Sequence, residues 1–359
     1  MKIMILTNSD VGLYKFRGEL IAELLKQHSV TIVLPGGDCI RPMEEAGCRF
    51  IETPIDRRGI NPATDVKLFA RYRKILKREK PDFVITYTIK PNVYGGFACR
   101  LEGVPYAVNI TGLGTAFENG GMLKKLVVFM NKAACKKAKV VFFENEGNRR
   151  LFIKEGIVPE ERTHRLNGAG VNLDRYTVTD YPAGETTRFL FMGRVMKEKG
   201  IDELFDAMRK LAADGLNVHL DVLGSYEEDY RSVIEQYEKE GWLTYHGFRE
   251  DVRQFIENCH CFVLPSWHEG MANTNLESAA CGRPVITSNI PGCLEAVEDG
   301  VSGFLAERKN ADDLYSVMKK FIALPYEARK AMGLAGRRRM EEIFDKKKVV
   351  EETIGSILE

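Results

Sequence analysis

The strongest constraint on this chain is an alternation that runs almost unbroken from its first residue. Short β-branched runs take turns with stretches of helical periodicity, each too short for a coiled coil and too regular for disorder. Lys2–Thr7 reads as a strand, Lys15–Gln27 as a helix, and Val30–Leu34 and Arg49–Thr53 as strands. Helix Asp65–Arg78, strand Asp82–Thr86, helix Asn92–Leu101 and strand Tyr106–Ile110 follow, then helix Met122–Ala138 and strand Val140–Glu144. Strands separated by helices require right-handed crossovers, and therefore a parallel sheet covered on both faces.

At 177–187 the pattern breaks. The stretch TVTDYPAGETT is polar, holds Pro and Gly, and suits an interdomain linker. The alternation then restarts with strand Arg188–Met192, helix Ile201–Ala213, strand Asn217–Leu223, helix Asp229–Glu240 and strand Leu243–His246. A short helix from Asp251, strand Cys261–Pro265, helix Thr274–Ala280 and strand Pro284–Thr287 complete it, and 312–359 reads as helical throughout. A chain of 359 residues is too long for one ordinary core. The expectation is an α/β protein of two doubly wound modules, 1–176 and 177–343, whose strand ends face a shared cleft where ligands bind.

Charge is near balance overall, at +1, but residues 1–170 carry +10 and the remainder −9. Two basic clusters, Lys67–Lys80 and Lys124–Lys139, mix cations with apolar residues at helical spacing. Each fits a helix lying on anionic lipid, and each also fits an amphipathic helix packed on its own sheet. No aromatic-interleaved basic stripe points to nucleic acid. No run reaches the roughly 18 apolar residues of a membrane span, and the N-terminus lacks a signal-peptide core. The expectation is a cytoplasmic protein, peripherally attached to the inner face of the membrane.

Eight scattered cysteines form no CxxC and read as buried reduced thiols. His268-Glu269 is followed by Ala272 where a zinc protease would need a second His, and no metal-ligand cluster appears.

Two segments carry chemistry. Gly193-Arg194-Val-Met-Lys-Glu-Lys199-Gly200 follows a strand and precedes a helix, so glycines permit close backbone approach. Arg194 offers a planar fork and Lys199 a point charge to a diphosphate. Glu269-Gly-Met-Ala-Asn-Thr-Asn-Leu-Glu277 stands at the end of another strand. Its backbone N–H groups suit a phosphate and its carboxylates suit sugar hydroxyls. Thr274-x-x-Glu277 is also a capping box, a second use for Glu277.

The two segments in this order resemble family 4 of the retaining GT-B glycosyltransferases, over nearly the whole chain. Asn167-Gly-Ala-Gly-Val-Asn172 is similar to the family's Gly-x-Gly-Val-Asp loop. Phe16-Arg17, Asn109-Ile-Thr-Gly-Leu-Gly114 and Phe143-Glu-Asn-Glu146 resemble enzymes that build bacterial lipid-linked surface polysaccharides and glycans.

The resemblance implies roles. Arg194 and Lys199 hold the donor diphosphate, beside Gly193, and Glu269 binds the transferred sugar with the backbone of Gly270, Met271, Ala272 and Asn273. Thr274 and Asn275 lie by the phosphates and Glu277 on the ribose. Phe248 and Arg249 lie near the base and Gly224 near the nucleotide, and Gly12, in the loop after the first strand, faces the diphosphate from the other domain. On the acceptor side it points to Arg17, Lys90, Thr111 and Gly112. It implies a UDP-sugar donor, an undecaprenyl-diphosphate-linked acceptor, no obligatory metal or other cofactor, and a last helix, Lys347–Leu358, that crosses back onto the first domain. The first loop has one glycine where relatives often have a pair, and Thr111-Gly112 stands where many carry a His.

Three rivals frame the expectation. A dehydrogenase needs a GxGxxG after the first strand, where this chain has SDVGLYKF. A nucleotide-sugar epimerase would convert donor without acceptor. A noncatalytic glycan- or lipid-binding protein would not need Arg194, Lys199 and Glu269 together.

Overall fold

The computed structural model describes residues 1–56, 61–113, 117 and 121–358. The chain divides into two compact units, 1–169 with 347–359, and 170–346.

The first unit is built on a seven-stranded parallel sheet. Its strands are β1 (Lys2–Leu6), β2 (Ser29–Leu34), β3 (Arg49–Glu52), β4 (Phe83–Tyr87), β5 (Tyr106–Ile110), β6 (Val140–Phe143) and β7 (Thr163–Arg165), in the order β3-β2-β1-β4-β5-β6-β7. Every residue of β4 and β5 is buried, as a strand covered on both faces requires. The covering helices are α1 (Asp10–Leu25), α2 (Ile40–Glu45), α3 (Pro62–Glu79), α4 (Gly96–Glu102), α5 (Gly121–Cys135) and α6 (Glu146–Lys154). The expected helix Asn92–Leu101 is a single π-turn, Pro91–Gly95, running into α4.

The second unit repeats the plan with six parallel strands in the order β10-β9-β8-β11-β12-β13. They are β8 (Thr187–Met192), β9 (Val218–Leu223), β10 (Leu243–Gly247), β11 (Cys261–Leu264), β12 (Val285–Ser288) and β13 (Gly303–Ala306). Helices α7 (Ile201–Ala213), α8 (Arg231–Lys239), α9 (Arg253–Asn258), α10 (Asn273–Ala280), α11 (Ala311–Ile322) and α12 (Tyr326–Ile343) flank them. The last helix, α13 (Lys346–Leu358), places Val349 and Ile357 in the core of the first unit. There Lys139 donates to the Ile357 carbonyl at 3.0 Å.

The stretch 177–187 is not a free linker. Tyr181 donates its hydroxyl to the His260 carbonyl at 2.8 Å and accepts, at its own carbonyl, from the Tyr326 hydroxyl. The fully buried Arg283 guanidinium donates to Thr179 Oγ1 at 2.7 Å and to the Asp180, Ile256 and Glu257 carbonyls. Five donors in a fixed fork suit this job of collecting chain carbonyls. The segment is therefore part of the second unit's wall. So is 170–176, where Val171 donates to the Phe344 carbonyl at 2.8 Å.

Candidate active site

In the second unit, the loops that leave the strand ends are stitched together by backbone hydrogen bonds. Gly193 N–H, after β8, donates to the Leu223 carbonyl, and Gly224 N–H, after β9, to the Gly247 carbonyl, both at 2.9 Å. A Cβ on Gly224 would lie 1.8 Å from the Gly193 carbonyl oxygen, so these two loops meet only because that side chain is missing. Gly200 has φ of 72°, and a Cβ there would lie 2.0 Å from the Pro265 carbonyl oxygen at the end of β11. The Trp267 N–H then donates to the Glu198 carbonyl at 3.0 Å. The Gly200 end of 193–200 thus presses against the segment carrying Glu269, and the Gly193 end against the loop after β9.

The consequence is a direct ion pair between Lys199 and Glu269, with side chains only 17% and 12% exposed. Ser266 adds a hydroxyl donor to the same Glu269 oxygen at 2.8 Å. The stretch Gly270, Met271 and Ala272 is buried, and Ala272 N–H donates to the Gly292 carbonyl at 2.7 Å. Trp267 holds the far side, donating Nε1 to Glu203 at 3.1 Å under the Lys309 ammonium, 4.1 Å from the ring centroid.

Helix α10 starts at Asn273, so Thr274 lies inside the first turn and no side chain caps this helix. The capping-box use of Glu277 does not occur. Glu277 is buried beside Tyr176, whose hydroxyl is pushed well above its ordinary value by burial first and then by that carboxylate. Asn275 is fully buried and donates Nδ2 to Thr287 Oγ1 at 3.0 Å, which ties α10 to β12. The Asn273 Oδ1 is buried with no hydrogen-bond partner.

Arg194 stands apart from this pair. Its side chain is half exposed, with Glu227 at 3.8 Å. Phe248 and Arg249, after β10, are exposed as well, Phe248 at 68%. The sequence-predicted residues of this unit therefore fall into a packed group around Lys199 and Glu269 and an open group of Arg194, Phe248 and Arg249.

In the first unit, α1 begins at Asp10, so Gly12 lies in its first turn rather than in the loop. Its N–H is taken by the Ser9 hydroxyl at 3.0 Å. Arg17 points inward to Glu144, 2.5 Å away, in a pair about nine-tenths buried, with the Tyr87 ring 5.0 Å from its guanidinium. Burial leads the rise of the Tyr87 hydroxyl above its usual value, with Arg17 opposing it. Lys90, after β4, pairs with Asp65 at 2.7 Å, and Tyr94 donates to the same carboxylate at 2.9 Å. The intervening Thr88 has φ of 70°, a left-handed conformation costly for a β-branched residue. Thr111 and Gly112 follow β5 and are half-buried. Gly114 lies outside the described residues.

Sequence reasoning missed Ser266, Trp267 and Tyr176. Pro265-Ser-Trp-His268 immediately precedes Glu269, and a hydroxyl three residues before a carboxylate was the available signal.

Two doubly wound parallel sheets, with strand-end loops that set Lys199 and Glu269 together ahead of a helix start, define an open-sheet α/β protein whose candidate site lies at the strand ends. The comparisons place it in a family. Residues 181–339 match the model of glycosyl transferases group 1, and residues 12–168 match the glycosyl transferase 4-like domain. The chain belongs to these family 4-like glycosyltransferases, a retaining family of GT-B fold.

It is 27% identical, over 88% of its length and 87% of the other's, to N,N'-diacetylbacillosaminyl-diphospho-undecaprenol alpha-1,3-N-acetylgalactosaminyltransferase of Campylobacter jejuni. It is 26% identical, over 80% and 81%, to the capsular polysaccharide biosynthesis glycosyltransferase CapM of Staphylococcus aureus. Among solved structures, HepE of Anabaena in complex with UDP and glucose superposes with a TM-score of 0.82, covering 99% of both chains at 17% identity.

Proposed function

We propose that this glycosyltransferase moves a hexose or N-acetylhexosamine from a UDP-sugar to a hydroxyl of an undecaprenyl-diphosphate-linked glycan, in surface polysaccharide or glycan assembly. The observation that carries the reading is the Lys199–Glu269 pair, a cation and a carboxylate set together at the start of α10. Relatives support the substrate class. The Campylobacter relative's name states a diphospho-undecaprenol acceptor, and a 26% identical Escherichia coli relative is a UDP-Gal:alpha-D-GlcNAc-diphosphoundecaprenol alpha-1,3-galactosyltransferase.

In this reading the second unit takes the donor and the first unit the acceptor. The incoming diphosphate draws Lys199 away from Glu269 and recruits the exposed Arg194. The freed Glu269 carboxylate then accepts hydrogen bonds from the sugar hydroxyls. The backbone of Gly270 to Asn273, Thr274 and Asn275 line the phosphates, and Glu277 faces the ribose. Gly193 and Gly224 let the nucleotide approach the backbone, and Phe248 and Arg249 flank the base. From the first unit, Gly12 faces the donor diphosphate, and Arg17, Lys90, Thr111 and Gly112 belong to the acceptor side.

The acceptor hydroxyl oxygen bonds to the anomeric carbon on the face from which UDP departs, and the departing phosphate oxygen takes the hydroxyl proton. Configuration is retained with no protein nucleophile. The developing charge on the diphosphate is met by Arg194, Lys199 and the helix start. The test is turnover of a UDP-sugar panel against an undecaprenyl-diphosphate-linked acceptor. Sugar transfer to the acceptor supports the reading. Donor conversion without acceptor supports an epimerase, and tight acceptor binding with no turnover supports a binding protein.

A further inference from the structure

The two basic helices of the first unit, alike in sequence, are opposite in structure. Helix α3 buries its apolar residues Leu68, Tyr72, Ile75 and Leu76, and Val66 is its one large hydrophobic residue among the exposed ones. Three of its six cations are paired, Arg73 and Lys77 with Glu102 and Arg78 with Glu79. It is a helix packed on its own sheet.

Helix α5 does the reverse. It buries only Asn131, Ala134 and Cys135, near its C-terminal end. Met122, Leu123, Leu126 and Phe129 are 87%, 54%, 54% and 67% exposed. Positions i, i+1, i+4 and i+7 of a helix share one face, so these four side chains form a single apolar stripe over two turns. Lys125 and Lys132, both exposed, run one heptad apart along its edge. Residues 121–139 hold six lysines and not one acidic residue. Lys124 is turned away to Glu155 at 2.7 Å.

We infer that this face of α5 docks on an anionic lipid bilayer, with Met122, Leu123, Leu126 and Phe129 entering the headgroup boundary and Lys125 and Lys132 meeting the lipid phosphates. A protein partner would need matching acidic residues, and the apolar stripe would then be an ordinary interface. A lipid surface supplies both apolar depth and diffuse negative charge without a complementary shape. The inference is independent of the acceptor's identity, because docking is read without turnover.

The test is flotation of the full chain with vesicles of phosphatidylcholine alone and of phosphatidylcholine mixed with phosphatidylglycerol. Binding is expected only to the mixed vesicles, and to fall about fivefold for each of Lys125→Ala and Lys132→Ala. Leu126→Ser with Phe129→Ser should abolish it while UDP binding, read on the same samples, stays unchanged. Val66→Ser with Lys67→Ala, on α3, should leave flotation as it is. Equal binding to both vesicle types would overturn the inference. So would loss of flotation in the α3 variant, or retention in the Leu126→Ser/Phe129→Ser variant. Concentration-dependent dimerisation abolished by the α5 changes, with no flotation of the native chain, would also overturn it and assign the face to a second copy.

Discussion

Lys199 and Glu269, seventy residues apart in sequence, meet in one largely buried ion pair at the start of α10. Each is the other's ionic partner, and that arrangement gives the pair a testable asymmetry. Glu269→Gln should cut sugar transfer about a hundredfold or more, because the sugar hydroxyls lose a charged acceptor. It should leave UDP binding at least as tight, since Lys199 is no longer held by a carboxylate. Turnover and UDP titration on one preparation check both halves.

Acid stability has a defined contributor in His260. This ring is 4% exposed, and its Nδ1 accepts the Arg188 N–H at 3.1 Å. Burial, then the charges of Arg329, Arg283 and Arg188, lower its pKa to about 4. In the unfolded chain the ring protonates near pH 6.5, so between those values the unfolded state holds the extra proton and stability falls as pH falls. The loss from pH 7 to pH 5 should be on the order of 2 kcal/mol. His260→Asn keeps an acceptor for the Arg188 N–H and should flatten that slope, measured as urea midpoints at the two pH values.

Most of the alternation of strands and helices was readable because burial on both faces forces apolar runs such as FVITY and YAVNI. The elements that escaped lack that signature. Short β13 opens on Gly303, β7 is the polar Thr163–Arg165, and α2 carries Pro42 within it. The polarity of 177–187 likewise reads as a linker, since nothing local reveals that the distant Arg283 gathers its carbonyls. At the site, residue types and spacing disclosed Arg194, Lys199, Glu269 and Glu277. Which of them would touch was not legible, because contact depends on Gly200 packing against Pro265.

Arg283 gives that buried anchoring a measurable size. Arg283→Ala strands the Asp180, Ile256 and Glu257 carbonyls, whose hydrogen bonds this fully buried guanidinium supplies. The change should cost about 3 kcal/mol or more. Thermal unfolding should show it, with UDP binding at low temperature retained.

The central claim is that the cations of the Gly193–Gly200 loop seat the donor diphosphate. It is tested most directly by calorimetric titration of UDP into the native protein and into Arg194→Ala/Lys199→Ala. The account predicts saturable binding by the native chain and a loss of at least about tenfold in affinity, roughly 1.4 kcal/mol, in the folded double variant. Equal affinity in the two proteins would contradict it.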